Sequence, residues 1–258
     1  MNTEISIKGR KYSCDLSKPL DISMQLSTNA ENSSAWYVNP VKINPVRGDG
    51  FVGSVAEGGS VNFRDITFNP HGNGTHTESV GHISTEIVSI NKTLTRYHFL
   101  ALVISIEPEI CNTKEGTREI GDKIISLEQI QEAIGHHKPE AIVIRTTPNS
   151  EEKLTRQYSN SNPAYLCHKA ASFITEQGID HLLIDLPSVD KEVDAGQLLS
   201  HKAFWKYPEN TQIHKTITEF IFVPDEVEDG EYLLNIQIAP FENDASPSKP
   251  TLYRLFSE

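Results

Sequence analysis

Tyr97-His98-Phe99-Leu100-Ala101-Leu102-Val103-Ile104-Ser105-Ile106 is almost unbroken in apolar residues and reads as a buried strand. The segments on its C-terminal side decide the fold class. Ser126-Leu127-Glu128-Gln129-Ile130 through Ile134 opens on a serine cap, carries apolar residues at helical spacing and stops near Gly135. Ala141-Ile142-Val143-Ile144-Arg145-Thr146 is a second buried strand. Pro163 to Gln177 reads as a helix, with proline near its first turn and Gly178 as its stop. His181-Leu182-Leu183-Ile184-Asp185-Leu186 is a third strand. Strand, helix, strand in this order predicts βαβ crossovers with parallel pairing, hence an α/β protein. Thr216 to Val223 and Tyr232 to Ile238 are expected to add strands. Residues 25–70, rich in turn formers, are expected to supply loops and short strands around a pocket.

The chain has 258 residues, enough for a substantial core, and no low-complexity linker or internal repeat, so residues 1–258 are expected to form one domain. A formal net charge of −12 argues against nucleic acid, whose phosphates it would repel, and against anionic membrane surfaces. Cys14, Cys111 and Cys167 form neither a disulfide framework nor a thiolate metal cage. With no apolar signal core near Met1 and no apolar run long enough to span a bilayer, a cytoplasmic location is expected.

Ten residues are histidine, and three crowd with a carboxylate into His71-Gly-Asn-Gly-Thr-His76-Thr-Glu78-Ser-Val-Gly-His82. Imidazole and carboxylate together suit zinc, manganese or iron. The alternative is a glycine-rich turn with solvated histidines. In an extended chain, alternate side chains share a face, so His76, Glu78 and His82 would line one wall. His71 has the opposite parity and would join them only through a kink, for which Gly72-Asn73-Gly74 is suited.

This stretch resembles the signature of the cyclase family that includes bacterial kynurenine formamidase and isatin hydrolase, His-x-Gly-Thr-His-x-Asp-x-Pro-x-His. Gly74-Thr75-His76 matches its centre and His82 its last histidine. Asp15-Leu16-Ser17 with Pro19-Leu20 resembles the family's opening strand. Gly178-Ile179-Asp180 through Ile184-Asp185-Leu186-Pro187-Ser188-Val189-Asp190, then His201 and Glu219, resembles its second hallmark. The chain departs from the pattern at three places. Gly72 stands where the family's first histidine would be, with His71 one residue earlier; Glu78 replaces aspartate and Val80 replaces proline.

The resemblance implies a single-domain swivelling β/α/β barrel-like fold, a mixed sheet with flanking helices. It implies one or two divalent ions, zinc or manganese, held by His71, His76, Glu78, His201 and Glu219, with His82 as general acid and base. The implied activity is hydrolysis of a small amide, formamide or cyclic amide, N-formylkynurenine being the kind of substrate it suggests. A homodimer or homotetramer is implied too. Two other functions share the same donors: a catalytically silent ligand-binding protein, and a metal-dependent lyase or dehydratase. Read from residues alone, His201 is a surface or capping residue, Glu219 faces either solvent or a buried cation, Asp185 is a hydrogen-bonding partner and Asp190 a turn residue. Trp36, Tyr37 and Trp205 are expected in substrate walls or in the core.

Overall fold

The computed structural model describes residues 1–28 and 31–257. Its centre is a nine-stranded sheet whose strands are, in chain order, β1 (Leu20–Asp21), β2 (His76–Glu78), β3 (His98–Ile106), β4 (Ala141–Thr146), β5 (His181–Ile184), β6 (Thr216–Glu219), β7 (Gly230–Asn235), β8 (Ala245–Pro247) and β9 (Thr251–Arg254). Across the sheet they run β8-β2-β6-β5-β4-β3-β7-β9-β1. The middle four, β3 to β6, are parallel, and the outer strands pair antiparallel on both sides. The sheet curls into a half-barrel with few flanking helices, a mixed α/β fold.

The parallel core arises directly from the sequence. β3 and β4 are apolar along their lengths because both faces are covered. Leu102, Ile104, Ile142, Ile144, Leu182 and Ile184 face one core cluster, while Ala101, Val103, Ala141, Val143 and Leu183 face the other. Helix α1 (Leu127–Ile134) is opened by a capping box in which Ser126 and Gln129 satisfy each other's backbone N–H, and it buries Ile130 and Ile134. Helix α2 (His168–Glu176) is shorter than the expected Pro163–Gln177. Tyr165–Leu166 instead pairs in parallel with Ile124–Ile125, and the Cys167 N–H donates to the Ile125 carbonyl. Backbone pairing across the fold outweighs helical propensity there. Gly178, at φ 75°, closes α2 as expected.

The later strands are also shorter or shifted. β6 stops at Glu219 because Phe220 sits at φ 55°, which leaves the extended region, and β7 begins at Gly230 and ends at Asn235. Residues 42–67 form two small hairpins, Lys42–Pro45 with Arg64–Thr67 and Arg47–Gly48 with Phe51–Val52, as the turn-rich composition predicts. No helix among the described residues is long and apolar enough to cross a membrane.

Candidate metal centre

Glu78 ends β2 with Ile217 of β6 and Ala245 of β8 paired on either side, and its carboxylate is wholly buried. A buried charge needs partners, and four imidazoles surround this one. From Glu78 Oε2, His71 Nδ1 lies 3.0 Å away, His82 Nδ1 3.8 Å and His76 Nε2 3.9 Å; His201 Nε2 lies 3.2 Å from Oε1.

Each imidazole is delivered by its own device. His76 and Glu78 share a face of β2 through strand alternation. His82 does not arrive by alternation: the strand ends at Glu78, and Ser79 caps a 3₁₀ turn, Val80–His82, that swings His82 back. His71 enters on a turn in which Asn69 Oδ1 accepts the N–H groups of His71 and Gly72, at 2.9 and 3.1 Å, and Gly74 adopts φ 117°. Gly72 is crowded: a Cβ there would lie 2.6 Å from Val38 Cγ1 and 3.0 Å from the Ala35 carbonyl oxygen, so a side chain at 72 would have to displace Val38. With Val38 where it stands, the imidazole is accommodated at 71 rather than at 72.

His201 lies in helix α3 (Leu199–Trp205), and the Asp190 carboxylate holds its start by accepting the Ser200 and His201 N–H groups at 2.7 and 3.1 Å. Glu219 ends β6, accepts the Val189 N–H at 2.9 Å and lies 3.5 Å from His76 Nε2. All five expected ligands and His82 thus converge on one place. As in other open α/β sheets, that place lies beyond the carboxyl ends of parallel strands.

Three rings have one nitrogen anchored outward and the other turned inward. His76 Nδ1 donates to the Gly74 carbonyl at 3.0 Å, which can only accept, so Nε2 carries the lone pair. His201 Nδ1 is 2.6 Å from Asp190 Oδ2 and His71 Nε2 is 2.8 Å from Asp244 Oδ2. This is the arrangement of metal-ligating histidines, whose second nitrogen is fixed by a carboxylate or carbonyl. The inward atoms are left over: His71 Nδ1, His76 Nε2 and Glu78 Oε2 are buried and make no hydrogen bond of good geometry. His71, His76 and Glu78 offer donor atoms within 4.8 Å of one another, as do Glu78, His82 and His201. A tetrahedral cation with bonds of about 2.0–2.2 Å spaces its donors roughly 3.3–3.6 Å apart; the contacts here run from 3.0 to 3.9 Å. The nitrogen and oxygen donors fit a divalent cation.

The electrostatics point the same way. Burial alone would lower His71, but the Asp244 and Glu78 carboxylates beside it push it up to about 10. Burial would likewise lower His201, which Asp190 and Glu78 hold well above its ordinary value. Glu78, which burial would raise, is held well below the usual carboxylate range by the imidazoles, and Asp244 is lowered by its bond to His71 and by His82 nearby. The field favours positive charge at the centre.

Above the cluster opens a cleft of about 360 Å³, walled by Trp36, Val38 and Leu198 and floored by His71, His82, His201 and Glu219. A larger cavity of about 460 Å³, between the first strand of the chain, Asn2–Ile7, and the start of β3, holds no comparable donor group among the described residues. Trp36 is thus a cleft wall, Tyr37 is largely exposed, and Trp205 is core, its indole N–H bonded to the Lys215 carbonyl and its ring 5.6 Å from that of His201.

Two further acidic positions are placed by the structure. Asp15-Leu16-Ser17 lies at the end of the second strand of the N-terminal hairpin, Asn2–Ile7 paired with Arg10–Asp15, which is outside the nine-stranded sheet. Asp21-Ile22-Ser23 makes the same aspartate turn and runs beside the site, with the Met24 N–H donating to Thr75 Oγ1 at 2.7 Å. Asp244 had no signal at all: it sits 173 residues from His71 in a polar loop, with no motif spacing to link them. Asp185 is a buried hydrogen-bonding partner, of Lys153 and Thr146.

A family model described as cyclase matches residues 14–191. No curated protein matches in sequence. Among solved structures, the fold is similar to that of a predicted metal-dependent hydrolase from Bacillus stearothermophilus, at 14% identity, over 92% of this chain and 98% of that one, with a TM-score of 0.63. Isatin hydrolase A from Labrenzia aggregata, bound to benzyl benzoate, matches at 14% identity over 93% and 94%, TM-score 0.63. Isatin hydrolase A from Ralstonia solanacearum matches at 12% identity over 92% and 91%, TM-score 0.60. At these identities the likeness is one of fold.

Proposed function

This chain belongs to the cyclase family, and we propose that it is a metal-dependent hydrolase of a small, uncharged amide, formamide or cyclic amide. The observation that carries this reading is the convergence of His71 Nδ1, His76 Nε2 and Glu78 Oε2, buried and without hydrogen bonds. His71, His76, Glu78, His201 and Glu219 would hold zinc or manganese. Glu78 turns Oε2 toward His71 and His76 and Oε1 toward His201, so either oxygen would be available as a donor.

A bound divalent ion would supply Lewis-acid polarisation of the carbonyl and acidification of water. The chain's own groups do the rest. His82 is the most exposed imidazole of the cluster, with 30% of its side chain accessible against 0–2% for His76 and His201. Its Nδ1 faces Glu78 and Asp244, which leaves Nε2 to take a proton and return it to the leaving nitrogen. Trp36 offers a flat apolar wall to the substrate. Among the described residues, Lys191 is the one lysine or arginine on the cleft, and it is bound to Asp122 at 2.7 Å; Glu192 and Asp194 line the cleft as well. Such a rim favours neutral substrates.

The test is metal-stripped protein reloaded with zinc or manganese and offered a panel of amides, formamides and lactams in heavy-oxygen water. We expect bound metal by elemental analysis and solvent oxygen in the product, which separates hydrolysis from lyase chemistry and from a silent binding protein. Absence of bound metal refutes the reading. His82→Ala is expected to keep its metal and lose about 10²–10⁴ in turnover. The proposal extends to a homodimer or homotetramer, to which the exposed Phe51, Phe63 and Ile66 of the 42–67 hairpins would contribute; a monomer by sedimentation removes that extension.

A further inference from the structure

We propose that Asp244 is the positioning residue that selects which ring nitrogen His71 and His82 turn to the chemistry; the assignment rests on the metal-hydrolase reading above. Its Oδ2 lies 2.8 Å from His71 Nε2 and 3.7 Å from His82 Nδ1, and the two rings stack with centroids 4.2 Å apart. One carboxylate oxygen thus faces two stacked imidazoles, their planes 30° apart. Accepting the Nε2 proton of His71 leaves Nδ1 as the lone pair aimed at Glu78. Attracting the Nδ1 proton of His82 leaves Nε2 as the base. The shared oxygen therefore gives the two rings opposite tautomers, one for binding a cation and one for moving a proton.

The backbone is built to hold Asp244 there. Its carbonyl accepts the Ser79 N–H at 2.9 Å, the neighbouring Asn243 carbonyl accepts the Ile90 N–H at 2.8 Å, and Ala245 pairs with Glu78 itself. Gly81 completes the seat: a Cβ at that position would lie 3.1 Å from Asp244 Cβ and 2.4 Å from the Val88 carbonyl oxygen. The glycine is required by the Val88 carbonyl oxygen, and it also leaves room for Asp244 against the Val80–His82 turn.

The experiment titrates zinc into the metal-free full chain, against a competing chelator, for wild type, Asp244→Ala and Asp244→Asn, with melting of each metal-free protein alongside. Asp244→Ala is expected to weaken zinc binding by roughly 10–100-fold while metal-free melting stays at the wild-type value. Asp244→Asn, whose amide oxygen can still accept from His71, is expected to recover most of the affinity. Asp244→Ala that binds zinc as tightly as wild type overturns the assignment. Loss of one equivalent with unchanged affinity for the remainder makes Asp244 a direct ligand and also overturns it, as does equal weakening in both variants with lowered metal-free melting. A wild type that binds no zinc removes the metal reading itself, and this assignment with it.

Discussion

Shortening Glu78 to aspartate tests the geometry of the centre most sharply. The change withdraws the carboxylate by one C–C bond, about 1.5 Å. If only about 1 Å of that lies along the lines to the imidazoles, the closest contacts, 3.0 Å to His71 and 3.2 Å to His201, open to roughly 4 Å. Metal–ligand distances tolerate about ±0.2 Å. The backbone cannot follow, because β2 is hydrogen-bonded on both edges and the next residue, Ser79, is tied to the Asp244 carbonyl at 2.9 Å. Glu78→Asp is therefore expected to bind zinc at least about 100-fold more weakly, some 2.7 kcal/mol, in a chelator-competition titration of metal-free protein. Glu78→Gln, which keeps the reach and loses the charge, is the companion measurement and should also bind weakly. An aspartate variant within threefold of wild type would refute the argument that a rigid strand sets the donor distances.

Three further outcomes concern other parts of the molecule. Lys153 and the wholly buried Asp185 form an ion pair at 2.7 Å, and burial pushes the Asp185 carboxyl up. Lys153→Met leaves that acid unpaired and should cost about 3–5 kcal/mol in urea unfolding, with Asp185→Leu added to it restoring much of the loss; a neutral single variant counts against this. His181 is buried, and desolvation lowers it from 6.5 to about 4. The folded state thus disfavours the protonated ring, so stability is intact above pH 6.5 and falls as pH drops from there toward 4, by about 3 kcal/mol at most. His181→Gln should flatten that limb, and an unchanged pH profile would exclude the assignment. Finally, a neutral lactam should bind the cleft more tightly than its carboxylate-bearing analogue in competition, because Glu192 and Asp194 line it and Lys191 is already paired; preference for the anion would contradict the charge argument.

Much of this protein was written locally in its sequence. Largely apolar runs at 97–106, 141–146 and 181–186 marked buried strands, and the helical patterns between them predicted parallel pairing, because a crossover helix returns the chain in the same direction. The donors His71, His76, Glu78 and His82 were legible because density and residue type are properties of a short segment; His201 and Glu219 became so through the resemblance. What the segment could not show was how the donors meet. Alternation predicts His76 beside Glu78, but not the 3₁₀ turn that returns His82 or the crowding at Gly72, which depends on packing against Val38 and Ala35. Asp190 and Asp244, which orient His201 and His71, were invisible as partners, since an outer acceptor is chosen by proximity in space. Helix α2 yielded its first turn to pairing with Ile124–Ile125 for the same reason. Periodicity and donor chemistry belong to neighbouring residues along the chain, whereas ring orientation and the distances between ligands arise only when strands far apart in sequence are hydrogen-bonded side by side.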